Sequence, residues 1–264
     1  MSSKFNINMI KEKLNSVKKG YSGGNSENSD LWKPEKPTTI IRLVPYKYNL
    51  EYPFSELQFH YGIGKSMLSP RSVGKTDPIY NLAYKLYKSG NTKDMNIAKN
   101  LFPKLRVYVP VIVRGEEDKG VRFWGFGKQI YEQLLELMAN DEFGDITDVS
   151  KGTDLTIKWS SPEEEGTAWG KVTITPRRNA SPLSDDPILV EKWLENQKDI
   201  FEIFKMPTLE EMNARLTDWL STSSGTEEEA EVTEKPEVKI QSAGTTLKEE
   251  SSGLNDFDKL FDEK

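Results

Sequence analysis

The chain has no cysteine and a single histidine, His60. The first absence excludes disulfides, thiolate nucleophiles and every zinc site built on Cys ligands, and a lone imidazole makes a structural zinc site a poor expectation. Long apolar runs are missing as well. Nothing approaches the roughly 18–20 consecutive apolar residues that span a bilayer, and the opening MSSKFNINMIKEKL lacks the apolar stretch of a signal peptide, so a soluble intracellular protein without membrane contact is expected. No nucleophile is paired with a base. The acidic clusters Glu116–Asp118, Glu163–Glu165 and Asp185–Asp186 fall in predicted loops, whereas a metal-dependent nuclease needs carboxylates that converge on one pocket. The chain is therefore read as non-enzymatic.

What the chain does have is unevenly placed. Its 264 residues, 36% hydrophobic and 10% aromatic, support a core of moderate size. The net charge of −6 hides two regions of opposite sign. Residues 221–264 carry 12 acidic and 5 basic side chains, whereas residues 41–131 carry 15 basic against 7 acidic together with 15 of the 27 aromatic rings. Cations concentrated with rings are the composition of a surface that neutralises a phosphate backbone and stacks bases. A solvated basic face beside an ordinary aromatic core has the same composition.

Along the chain, Ile10, Leu14 and Val17 at helical spacing mark residues 1–20 as a short amphipathic, basic arm. A Gly/Ser/Asn linker follows over 21–30. Residues 38–44 read as a strand closed by Pro45, and Asp77, Pro78 and Gly90 bracket a helix. Two hairpins are predicted, one from 105–113 and 121–126, the other from 155–159 and 169–175 around SSPEEEGTA. Between them lies a helix with Ile130, Leu134, Leu137 and Met138 on one face. Helices are expected over 188–204 and, from the capping-box spacing of Thr208 and Glu211, up to about Leu220. The fold class read from this is mainly β with α insertions, an α+β core over 31–220 built on an oligonucleotide-binding (OB)-like barrel of about five strands. Residues 221–264 read as a disordered acidic tail that ends in a docking peptide over 254–263, with Leu254, Phe257, Leu260 and Phe261 among carboxylates.

Two glycine patterns invite over-reading. Gly74-Lys75-Thr76 mimics the end of a phosphate-binding loop, but Ser69 stands where the first glycine belongs, and a turn before a capped helix is the reading adopted. Gly125-Phe126-Gly127-Lys128 is too short for a dinucleotide fingerprint and reads as a strand-to-helix turn.

The binding candidates come from cations interleaved with rings in and beside the predicted strands: Arg42, Lys47, Lys104, Arg106, Arg122 and Lys128, with Tyr108, Trp124 and Phe126. Alternation places Arg106, Tyr108 and Pro110 on one face and Val107, Val109 and Val111 on the other, so that one face binds and the other packs. The same alternation gives Arg122, Trp124 and Phe126 a shared face, and a cation beside two rings is assigned there to binding.

In this order the segments are similar to those of the T-even-type phage single-stranded DNA-binding, or helix-destabilising, proteins. The resemblance rests on the basic arm, Leu31-Trp32-Lys33, Ile40 to Pro45, Phe59-His60-Tyr61-Gly62, Phe123 to Lys128, Asn179-Ala180-Ser181-Pro182 before Asp185-Asp186, and the acidic terminus. It implies an OB-fold core whose groove coats single-stranded DNA cooperatively and without sequence specificity during replication, recombination and repair in the infected host's cytoplasm. It also implies neighbouring protomers held by the arm, and a tail that competes for the groove and recruits replication proteins such as a polymerase, a helicase loader or a recombination mediator. Arg42, Lys104, Arg106, Trp124 and Lys128 carry over as groove candidates. The family holds zinc in a subdomain corresponding to 60–100 with one His and three Cys; His60 matches, but Ser69, Asp77 and Tyr80 stand near the thiolate positions. The expectation is therefore that zinc is lost, no cofactor is needed, and Ile79, Leu82, Ala83 and Leu86 pack the subdomain. The rival readings are an RNA-binding regulator with the same groove, a scaffold acting through arm and tail, and a metal-dependent nuclease.

Overall fold

The computed structural model describes residues 30–140, 142–166 and 170–223. The arm, nearly all of the linker, and the docking peptide with the tail after Ser223 lie outside the described residues. In chain order the elements are β1 (Leu31–Trp32), β2 (Thr38–Leu43), β3 (Ser55–His60), β4 (Met67–Leu68), α1 (Pro78–Lys88), α2 (Thr92–Leu101), β5 (Lys104–Val113), β6 (Arg122–Phe126), α3 (Lys128–Met138), β7 (Leu155–Ser160), α4 (Pro162–Glu165), β8 (Lys171–Pro176), α5 (Pro187–Glu195), α6 (Ile200–Ile203) and α7 (Leu209–Ser223).

The strands join in one eight-stranded sheet ordered β1-β6-β5-β2-β7-β8, with β3 on β5 and β4 on β3. The short β1 runs parallel to β6, and the other ladders are antiparallel. β5 organises the sheet: its first half pairs with β3 and its second half with β2, while β6 runs along its other edge. Pro110 stands at the hand-off. Its carbonyl accepts from Val44 on the β2 side, so the amide hydrogen that proline lacks would fall in the gap between the two partner strands, where no ladder bond is lost.

Alternation along β5 sends Val107, Val109, Val111 and Val113 into the main core with Ile41, Leu43, Leu155 and Ile157. Helix α3 closes this core with Tyr131 and Leu134. The opposite face of β5 is covered only in part. Leu183 and Trp193 pack on Ile112, and Phe204 lies 4.7 Å from the Tyr108 ring. Lys104 and Arg106, at the first half of the same face, stay exposed.

Several readings need correction. More described residues lie in helices than in strands, so the class is mixed α+β rather than mainly β. The extra strands arise because β1 extends the sheet beyond β6 and the 55–68 segment adds β3 and β4. The predicted helix over 188–204 is two helices: buried Gln197 breaks it by accepting from the Lys47 amide at 3.0 Å and donating to the Pro45 carbonyl at 2.8 Å, after which Asp199 caps α6. The last helix runs to Ser223, three residues beyond Leu220. The expected turn at Gly74 is present with φ 70°, as are the cap at Asp77 and the reciprocal bonds of Thr208 with Glu211.

Candidate nucleic-acid interface

Register decides which of the candidate side chains face solvent. Val109 stands opposite Trp124 and Val107 opposite Phe126, and cross-strand partners share a face, so both rings belong to the valine side. Trp124 and Phe126 are each 1% exposed and pack edge to face 4.8 Å apart. Neither offers a face to a base, contrary to the assignment made from alternation. Arg122 is buried beside them and donates to Glu116 at 2.8 Å. The Glu116 carboxyl is held down at about 2 by hydrogen bonds from Lys119 and Arg122, with Lys36 adding a third. A depressed carboxyl stabilises the fold above the unfolded value of about 4.3 and loses that contribution as pH falls towards the folded one. The fall in Tm between pH 5 and pH 2 is accordingly expected to be steeper for the wild type than for Glu116→Gln, read by thermal melts across that range.

Arg42 is likewise not a groove residue. Its side chain is fully buried, donating from Nε to Asp154 at 2.8 Å and from Nη2 to the Ser181 carbonyl and hydroxyl at 2.8 and 2.7 Å. Arg114 binds the same Asp154 from Nη2 at 2.9 Å and Nε at 3.1 Å. Burial pushes the Arg42 pKa below its ordinary value, with Asp154 opposing the shift. Lys47 stands apart from the other candidates, its ammonium bonded to the Glu195 carbonyl at the end of α5, 2.7 Å away, where a helix terminus favours a cation.

The remaining candidates come together. On β6, Gly125 faces Tyr108, and a β-carbon at Gly125 would collide with the Tyr108 ring. The missing side chain lets that ring lie across the neighbouring strand. Gly127 lies beneath Arg106, whose Nη1 is 3.7 Å from the position a β-carbon would take. Gly125 thus lowers the floor on which the phenol rests, and Gly127 continues that floor under the guanidinium at ordinary contact distance. Burial pushes the Tyr108 hydroxyl well above its ordinary range, keeping it neutral.

Beside this floor is a solvent-open cleft of about 510 Å³, bordered by Arg106, Lys33, Glu35, Gly125, Gly127 and the Trp159 ring at the end of β7, with the buried Trp124 and Phe126 behind its wall. Lys128 begins α3 directly after Gly127, and Tyr61, 42% exposed, follows β3. A second run of cations and rings lies along α1: Arg71 over Tyr80 at 3.8 Å, Tyr80 stacked with Tyr84 at an interplanar angle of 11°, and Lys88 over Tyr84 at 5.5 Å. Trp159, Tyr61, Lys33 and the α1 run were missed in the sequence because they lie on four separate segments. The i, i+4, i+8 spacing of Tyr80, Tyr84 and Lys88 was the one local signal available.

The acidic clusters do not assemble into a site. Glu163–Glu165 form the single-turn α4 with a Ser161–Glu164 capping box, Asp186 caps α5, and among the described residues no group of three His, Cys, Asp or Glu is placed to hold a metal ion. No helix among them is long and apolar enough to cross a membrane.

A cleft open to solvent, in which Arg106 and Lys33 outnumber the single carboxylate Glu35 beside an indole, suits a polymer that alternates phosphates with flat bases, which is the property of nucleic-acid-binding proteins as a class. A family model described as gp32 DNA binding protein like matches residues 36–219. The chain belongs to this family of DNA-binding proteins. No curated protein matches it.

Proposed function

We propose that the protein binds single-stranded DNA without chemistry and without sequence preference, as the coating protein of a phage replication, recombination and repair system. The observation that carries this reading is the cleft in which Arg106, Lys33 and Trp159 meet over the glycine floor. Arg106, Lys104, Lys33 and Lys128 neutralise phosphates, and Trp159 takes the stacking role that the sequence had given to Trp124. The order β2, β5, β6, α3, β7, β8 is read as an OB fold with the 60–100 segment inserted between its first two strands. Protomers contact one another along the strand through the arm, and the tail recruits replication proteins in the host cytoplasm.

The test is a titration with oligo-dT, followed by tryptophan fluorescence at two salt concentrations. Tight, salt-sensitive quenching supports the reading, because displacing counterions from phosphates makes affinity fall steeply with salt. Absence of binding at low salt sinks it, and tighter binding to RNA of equal sequence moves the substrate to RNA. A chain ending at Gly225, the end of the compact unit that contains every described residue, is expected to bind more tightly than the whole protein. The residues removed carry 12 acidic and 5 basic side chains that compete with phosphates for the same cations. Equal affinity for the two chains would refute the competition.

A further inference from the structure

The family implies a zinc ion in the 60–100 segment, and the residues present do not fit one. A zinc-bound His must offer a nitrogen lone pair. His60 is fully buried, and each ring nitrogen faces an oxygen acceptor: Nδ1 the Leu101 carbonyl at 2.8 Å, Nε2 the Asp77 carboxylate at 2.8 Å. Asp77 is equally committed. Its Oδ2 also accepts from the Ser69 hydroxyl, and its Oδ1 caps α1 by accepting from the Ile79 and Tyr80 amides at 2.9 Å each. None of the buried side-chain atoms left without a partner among the described residues belongs to this group. A zinc ion would have to displace bonds already made, and Ser69 and Leu101 would supply only a neutral hydroxyl and a carbonyl as further donors.

We infer that His60, Asp77 and Ser69 form a metal-free latch that takes over the fastening role of the family's zinc and positions the DNA-binding face. The latch joins four places in the chain: the end of β3, the turn beginning at Ser69, the first turn of α1 and the end of α2. β3 carries the functional consequence. His60 is followed by Tyr61, and Phe59 and Leu57 on the same strand pair with Lys104 and Arg106. Immediately beyond, Gly62 abuts the Asn100 carbonyl so closely that a β-carbon would collide with it. α1, whose amides the latch caps, packs Ile79 and Ala83 inward and carries the Tyr80–Tyr84 stack. His60 and Asp77 have no exposed side-chain surface, so any effect of theirs on DNA is exerted through Tyr61, Lys104 and Arg106. This positioning role rests on the proposed function; the metal-free fastening does not.

The experiment uses the full chain produced in zinc-supplemented medium, with Asp77→Asn and the milder Ser69→Ala. The wild type is expected to carry substoichiometric zinc and to melt at the same temperature with and without chelator. Asp77→Asn is expected to lower Tm by about 4–10 °C, and Ser69→Ala by about 2–4 °C. Measured well below the variant's Tm, oligo-dT affinity of Asp77→Asn falls about fivefold or more and its salt dependence becomes shallower, a change that lower stability alone does not produce. If Asp77→Asn does not fold, the Ser69→Ala pair of readings decides. Stoichiometric zinc with a chelator-sensitive Tm overturns the latch, as do variants that melt like the wild type. Lowered Tm with unaltered affinity and salt slope overturns the positioning role. Should the wild type itself not bind DNA, the zinc and melting readings still decide the latch, and it is the proposed function that fails.

Discussion

Asp154→Ala is expected to destabilise the protein by about 3–5 kcal/mol, because it leaves a buried guanidinium and a half-buried one without their common counter-charge. At about 2–4 °C per kcal/mol for a domain of this size, Tm falls by about 6–20 °C. The cost is that of an orphaned charge rather than of a lost attraction: among the described residues Arg42 has no exposed side-chain surface and no other carboxylate within bonding distance, and Arg114 keeps only carbonyls. Asp154→Asn, which retains one acceptor oxygen, falls between the two. Denaturant melts that place Asp154→Ala within about 1 kcal/mol of the wild type would show that water reaches the clamp and replaces the carboxylate.

The second large effect is on binding. Trp159→Ala is expected to weaken oligo-dT affinity by about 1–3 kcal/mol, or roughly 5- to 150-fold, the range for removing one base–aromatic stack. Arg106→Ala reduces the slope of log affinity against log salt by about 0.7, the signature of one lost phosphate contact on a single strand. The same titration separates the two indoles. Trp124→Phe keeps the quenching signal, since that ring is in the core, whereas Trp159→Phe loses most of it. Quenching that survives Trp159→Phe and disappears with Trp124→Phe would place the bases elsewhere. Gly125→Ala provides a check on the floor: it displaces the Tyr108 ring and lowers affinity without removing any cation.

The contrast between these two tryptophans shows what was legible in the sequence. Period-two alternation correctly grouped Arg122, Trp124 and Phe126 on one face, and correctly made Val107, Val109 and Val111 a packing face. Which side of β6 turns inward depends on its register against β5, and no local pattern specifies that. Once Val109 is opposite Trp124, the indole must pack. Helix starts fared better, because caps are local: Asp77 and Thr208 announce themselves by residue type and spacing. The Arg42 clamp was illegible for the opposite reason, as its partners lie 106 to 139 residues away. The cleft is assembled from β5, β6, α3, β7, β8 and the loop after β1, so density of cations and rings gave the region without giving the members.

Distance along the chain gives the Arg42 clamp a role in time. A contact between residues 42 and 154 or 181 closes a very long loop, and the loop-closure cost leads us to expect it to form after the local helices and the β5–β6 hairpin. An interaction absent from the transition state leaves the folding rate nearly alone and governs how fast the native state comes apart. Asp154→Ala is therefore expected to shorten the lifetime of the folded protein more than it slows folding.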